Sequence, residues 1–221
     1  MDTHNPPDRR EWRSDGPMTF AHSVSTMDAN FEAFMRDVAP YEARSTSAPV
    51  FKSPALETLM NCWQDCAPAG DLPETRQLQL SKLAPWMPDI TKCSLEGPRD
   101  IRYRLAGTRA CERLGMDPTG VNLYDLMDTS IRDTIARSFH EACRRPCGFY
   151  GLYENVNTAG RRSAIESLYL PLKPLPDGTP IVIGIHAPGE MIDYKQPVPR
   201  AAIATTITDF FWIDLGFGAP Y

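Results

Sequence analysis

The chain has no apolar run approaching the roughly 20 residues that span a bilayer, which excludes a helical membrane protein. The first sixteen residues, MDTHNPPDRREWRSDG, hold no apolar core of the kind a secretion signal needs, so the cytoplasm is the expected compartment. An excess of positive charge is missing as well. With 23 Lys and Arg against 28 Asp and Glu the formal net charge is −5, which argues against a nucleic-acid partner, because phosphate binding needs a concentrated cationic surface. Six cysteines are present, but the CxxC spacing of zinc knuckles is not. Cys62 and Cys66, and likewise Cys143 and Cys147, are four apart, which on a helix means a shared face and nothing more. Thiols in a chain without an export signal are expected to stay reduced, and no metal site is expected. Nor is there a GxSxG, a Walker A loop, a GxGxxG or an HExxH, so no enzyme class announces itself.

What is there reads as one domain of mixed type with appendages, since 221 residues with 42% apolar content can bury a proper core. Residues 1–52, rich in Pro, Ser, Asp and Arg, are expected to form a mostly flexible arm. Within it Phe31, Phe34, Met35 and Val38 fall at helical spacing, so a short helix is expected near 28–38, capped by Asp28 and stopped before Pro40. That stripe must be buried on the chain's own domain or on a second copy of it, since small-domain oligomers are usually symmetric homomers.

The domain proper is expected over residues 53–190. Ser53-Pro54 reads as a cap followed by a first-turn proline, and Leu56, Leu59, Met60 and Trp63 give the helix its apolar stripe. Gln77–Leu83 is a short helix or turn. Asp89–Leu95 and Arg99–Ala106 are expected strands joined by a turn at Glu96-Gly97-Pro98. The chain then turns helical at Arg109–Leu114, with Thr108 as a cap and Gly115 suited to the left-handed closing position. A brief helix at Asn122–Met127 precedes a long one at Ile131–Arg145, where Ser130 and Asp133 approximate a capping box. Three strands close the domain: Phe149–Val156, Ser163–Leu172 and Ile181–Ala187, the first pair joined by a hairpin turn at Asn157–Gly160. Two strands, helices in the middle, then a three-stranded meander describe an α+β sheet. Residues 191–221 form an apolar tail, with Ile207, Phe210, Phe211, Trp212, Ile213, Leu215 and Phe217, expected to pack on the domain or on a partner subunit.

At YRLAGT (Tyr103–Thr108), RLG-x-D-x-TG (Arg113–Gly120) and the ending IDLGFGAP (Ile213–Pro220), together with the helix around Trp63, the chain resembles the short stand-alone bacterial PAS proteins over about residues 55–190. The resemblance implies a PAS-like five-stranded antiparallel sheet with short helices on one face, and a space between them able to hold a small molecule. It implies a sensory or regulatory module without catalytic residues, signalling through the sheet or a flanking helix. The expected partners are a second copy in a homodimer and a separate signalling protein, because no kinase, cyclase or DNA-binding signature follows residue 190. Carried over as pocket wall are Tyr103, Leu105, Gly107, Thr108 and Leu114. Pattern adds Leu123, Leu126, Phe139, Leu168, Leu170, Ile183 and Ile185. The competing reading is that these side chains simply fill the core, leaving an interaction module whose surface, arm and tail do the work.

No cofactor is required by this reading. Haem-binding PAS domains place a ligand histidine on the long helix, where this chain has His140, but His140 projects onto the flank of the apolar stripe, which argues against haem. The flavin-reactive cysteine motif of light-sensing relatives is absent around Cys111. His186, out of phase with Ile183 and Ile185, is expected to point outward. Glu166 is in phase with Leu168 and Leu170, and is expected either at an exposed strand end or as a polar anchor in the pocket.

Overall fold

The computed structural model describes residues 20–68, 70–194, 196–197 and 201–220. The flexible-arm expectation for residues 1–19 lies outside the described residues. Strands β2 (Ile90–Gly97), β3 (Asp100–Ala106), β4 (Cys147–Val156), β5 (Arg161–Leu172) and β6 (Ile181–Tyr194) form the expected antiparallel sheet, in the spatial order β3-β2-β6-β5-β4. The tail adds β7 (Ala202–Asp214) antiparallel to β4, and a two-residue β1 (Ser45–Thr46) lies parallel to β7 through Ser45↔Trp212 and Thr46↔Ile213.

Both faces of this sheet are covered, and the two cores are distinct. On one face lie α1 (Phe20–Asp37), α4 (Thr108–Leu114), α5 (Leu123–Leu126) and α6 (Arg132–Arg144). On the other lies α2 (Pro54–Cys66), with α3 (Leu80–Leu83) and a 3-10 turn over Ala84–Asp89 beside it. Helix α2 starts as its sequence dictates: the Ser53 side chain accepts from the Ala55 N–H, and Pro54 takes the first turn, where an N–H is not needed. Leu56, Leu59, Met60 and Trp63 are all buried, and Trp63 Nε1 donates to Pro171 O at 2.7 Å, which pins the helix to β5.

The aromatic ladder of the other face runs across three strands. Phe149 stacks on Tyr169 at 4.7 Å and on Phe210 at 5.6 Å, with Phe139 of α6 edge-on at 5.1 Å and Trp212 edge-on at 5.9 Å. Strand register produces this, since Phe149 sits opposite Tyr169 on one side and Trp212 on the other.

Several local expectations change. Helix α1 begins at Phe20, so Asp28 lies inside it and is not its cap position; its stripe of Phe31, Phe34 and Met35, with Val38 just past its end, packs on the chain's own core. Gly107, not Thr108, is the residue before α4, and no side chain caps that helix; Gly115 closes it at φ 71° in the left-handed region. Ile131 precedes α6 without a capping box, because Asp133 is drawn to Arg99 (2.7 Å) and the Tyr124 hydroxyl (2.7 Å). Strand β2 reaches Gly97, so the turn contracts to Pro98-Arg99.

Candidate functional site

The space between the sheet and α4–α6 is walled by residues that five strands and helix α4 bring together. Tyr103 of β3, Tyr153 of β4 and Thr91 of β2 line it, along with Ile165 of β5 and His186 of β6. Leu114 and Arg113 close it from α4. The free volume there is about 20 Å³, and a second, apolar hollow between Leu123, Phe139, Phe149, Tyr169 and Phe210 measures about 30 Å³. Each is room for about one water, so the interior is filled by side chains.

The filling is polar at its centre. His186 Nε2 meets Thr91 Oγ1 at 2.7 Å, and its Nδ1 meets Ser167 Oγ at 2.8 Å. Ser167 donates to the Tyr153 hydroxyl at 2.9 Å, which lies 3.4 Å from that of Tyr169. Burial, with a smaller contribution from the Arg113 charge, pushes His186 down to about 3, so it is neutral at physiological pH. Burial likewise raises the phenols of Tyr103, Tyr153 and Tyr169. The group is a satisfied, uncharged network, which is how a core tolerates polar atoms.

Of the residues expected in the wall, Tyr103, Leu114, Leu123 and Phe139 are there, and Leu126 is buried in the same core. Leu168, Leu170, Ile183 and Ile185 are not. They pair across β5 and β6 (Leu168↔Ile185, Leu170↔Ile183) on the opposite face, against α2. Alternation grouped them properly, but with both faces buried it cannot say which face is which. The same inversion corrects His186, which is 7% exposed and faces the helices.

Leu105 is 37% exposed, because a bulge puts Arg104 between the pairs Lys92↔Leu105 and Cys93↔Tyr103 and so turns Leu105 away from the Tyr103 side. Gly107 and Thr108 line neither of the two hollows. Gly107 instead lets two chain segments touch, since a Cβ there would lie 2.3 Å from the Met87 and Pro88 carbonyl oxygens. Glu166 is neither exposed nor in the pocket. It is 5% exposed on the α2 face, where its carboxylate accepts the Lys52 and Ser53 N–H groups at 2.8 and 2.9 Å.

His140, on the flank of the α6 stripe, is buried against α1. Its ring meets Phe31 edge-on at 5.0 Å, and Nε2 donates to Gly97 O at 3.0 Å. Burial pushes it down to about 4. Its ring is thus held by Gly97 and α1, away from either hollow. Among the described residues no three His, Cys, Asp or Glu side chains gather where they could hold a metal ion.

Sequence reasoning missed the outer approach to this interior. A cleft of about 320 Å³ opens between α4 and the β4–β5 hairpin, lined by Arg109, Glu112, Arg113, Asn155, Asn157 and Arg161, over a floor that includes Ile165 and Pro188. Arg109 and Arg113, one helical turn apart on α4, converge on Asp89, which is 2% exposed: Arg113 Nη1 lies 2.8 Å from Oδ1, and Arg109 Nε 3.2 Å from Oδ2. Arg113 therefore borders both the cleft and the inner hollow. The available signal was the Arg109/Arg113 spacing of four with Asp89 upstream, although a sequence alone does not pair them.

Residues 51–187 match the PAS domain family, and the chain belongs to it. No curated protein and no solved structure matches the chain. Among the described residues no helix is long and apolar enough to cross a membrane.

Proposed function

We propose that this PAS protein is a non-catalytic sensory module of the cytoplasm that takes a small molecule on the helix side of its sheet. It reports occupancy to a separate partner protein through α4 and the 84–89 turn, and it works as a homodimer. The single observation carrying this reading is the position of Arg113. The residue borders the inner hollow and the outer cleft, and its guanidinium is tied to Asp89, the last residue of the turn that leads into β2. A molecule arriving on that side meets a charged side chain whose partner belongs to another element, so binding and a shift of α4 against the turn are one event. The family supports a sensory or regulatory role in its general form.

Native mass spectrometry and an absorption spectrum of the purified chain test the ligand, and light scattering coupled to size exclusion tests the dimer. A retained small molecule, or one found in a metabolite screen, is the expected result. A second reading is favoured by the hollows of about 20 and 30 Å³: a pure interaction module whose core is already full. A chain that binds nothing in the screen yet captures a defined partner would establish that reading and remove the first.

A further inference from the structure

We infer that the cleft between α4 and the β4–β5 hairpin binds a small organic anion, through a carboxylate or phosphate group held by Arg109, Arg113 and Arg161. This names the ligand class of the site proposed above and rests on that reading. Three observations converge on it.

The first is charge. The described lining holds three arginines and one acid, Glu112, and Asp89 stands just behind them. Counting both acids the site keeps one net positive charge, in a chain whose formal net charge is −5. A cationic recess with low-dielectric walls in an acidic protein concentrates anions from solution.

The second is unmet hydrogen bonding. Arg113 spends Nη1 on Asp89, but its Nη2 is buried without a partner among the described residues. A buried guanidinium N–H left unpaired is costly, and an oxyanion that draws the Arg113 side chain toward the cleft would satisfy it, since charge-assisted bonds to a guanidinium fork are stronger than neutral ones. Arg161, exposed at the cleft, has no ion pair among the described residues; its neighbour Arg162 takes Glu154 and Asp193 instead.

The third is the orientation of the amides. The side-chain oxygen of Asn155 accepts from Ala204 N at 3.2 Å, and that of Asn157 from Arg161 N at 2.9 Å. With both oxygens engaged, the two side chains offer the cleft their NH₂ donors. Donors thus outnumber acceptors, while Ile165 and Pro188 give a short carbon skeleton an apolar floor. The volume of about 320 Å³ lies at the small end of ligand pockets.

The anion would compete with Asp89 for Arg113 and Arg109. Both arginines sit on α4, whereas Asp89 ends the turn before β2, so occupancy redistributes one set of charge contacts between ligand and turn.

The test uses the full chain with succinate, inorganic phosphate and glycerol as probes, by isothermal titration calorimetry and thermal shift. Succinate or phosphate is expected to bind, glycerol not, with affinity falling as sodium chloride rises. Arg161→Gln is expected to weaken the anion about tenfold or more while leaving the ligand-free melting temperature unchanged, because Arg161 makes no ion pair among the described residues. In the unsubstituted chain the Arg113 Nε–H resonance should shift on titration. Failure of both anions to bind, equal binding by Arg161→Gln, or binding of glycerol as tight as either anion overturns the inference. A neutral molecule carried through purification, with no anion binding, would sink this inference and leave the sensory reading standing.

Discussion

Glu166 lies directly beneath Ser53: its Oε2 accepts the Ser53 N–H at 2.9 Å while Oε1 accepts that of Lys52 at 2.8 Å. The carboxylate therefore holds the chain at the point where it enters α2, the helix that seals one face of the sheet. A buried carboxylate is tolerated there because two backbone donors meet it, and the Tyr150 phenol beside it is raised by burial and then by the Glu166 charge. Glu166→Ala leaves two N–H groups without their acceptor and is expected to cost about 2–3 kcal/mol. Urea denaturation checks this, and an unchanged midpoint would mean the contact contributes nothing. Glu166→Gln, which retains one acceptor oxygen, should fall between the two.

The strand around Glu166 shows how far the sequence could be read. Alternation over Glu166, Leu168, Leu170 and Leu172 placed these residues on one face correctly, and the order of elements gave the PAS fold. What alternation lacks is a sign. In a sheet buried on both sides, pattern alone offers Leu168, Leu170, Ile183 and Ile185 as pocket wall, yet they are what α2 packs upon. The face toward α4–α6 carries Ser167, Tyr169, His186, Thr91 and Tyr103, a mixture of hydroxyl, ring and imidazole. Ser167 and Tyr169 stand in the odd-numbered phase of β5, but their meaning depends on partners from β2, β3, β4 and β6 that only the sheet register supplies. The bulge that turns out Leu105 and the pairing of Asp89 with Arg109 and Arg113 are likewise tertiary facts.

Gly107 is fixed by a close approach. Its φ of −67° suits any residue, but an added methyl would stand 2.3 Å from two carbonyl oxygens of the 84–89 turn, and these are backbone atoms that cannot swing aside. Its N–H also donates to Ile90 O at 2.8 Å. Gly107→Ala is expected to destabilise the fold by about 3 kcal/mol or more, read as a lowered denaturation midpoint. Gly120→Ala is no control for space, since Gly120 has φ 81°; Gly97→Ala, which would meet only Asp100 Cβ at 3.6 Å, is the milder comparison.

The two buried histidines make stability depend on pH in a defined direction. Burial holds His140 down to about 4 and His186 to about 3, whereas in the unfolded chain both titrate near the ordinary 6.5. Below 6.5 the unfolded chain takes up protons that the folded chain refuses. The stabilisation is therefore complete above that value and lost as pH falls, through about 4 for His140 and about 3 for His186, at up to ~1.4 kcal/mol per pH unit for each. Urea midpoints at about pH 7.5 and pH 5 measure the loss. Because carboxylates contribute in the same acid range, the diagnostic quantity is the difference between the parent and His140→Gln, which keeps a donor for Gly97 O. A slope that does not flatten in that variant would place the acid sensitivity elsewhere.

Trp212 ties the tail to the N-terminal arm. It is 0% exposed; Nε1 donates to Tyr41 O at 3.0 Å and its backbone N–H to Arg44 O at 2.9 Å, beside the β1 pair Ser45↔Trp212. Its ring also packs edge-on against Phe210 at 5.4 Å and Phe149 at 5.9 Å, so it belongs to the aromatic ladder over the sheet. Trp212→Ala removes both roles and is expected to cost about 3–5 kcal/mol. Trp212→Phe separates them: the ring remains but the Tyr41 carbonyl loses its donor, for about 1 kcal/mol. Limited proteolysis distinguishes the outcomes, since in Trp212→Phe cleavage should accelerate at residues 39–46 while the sheet stays protected. Uniform acceleration across the chain would mean that the indole N–H supports the whole core and not the arm in particular.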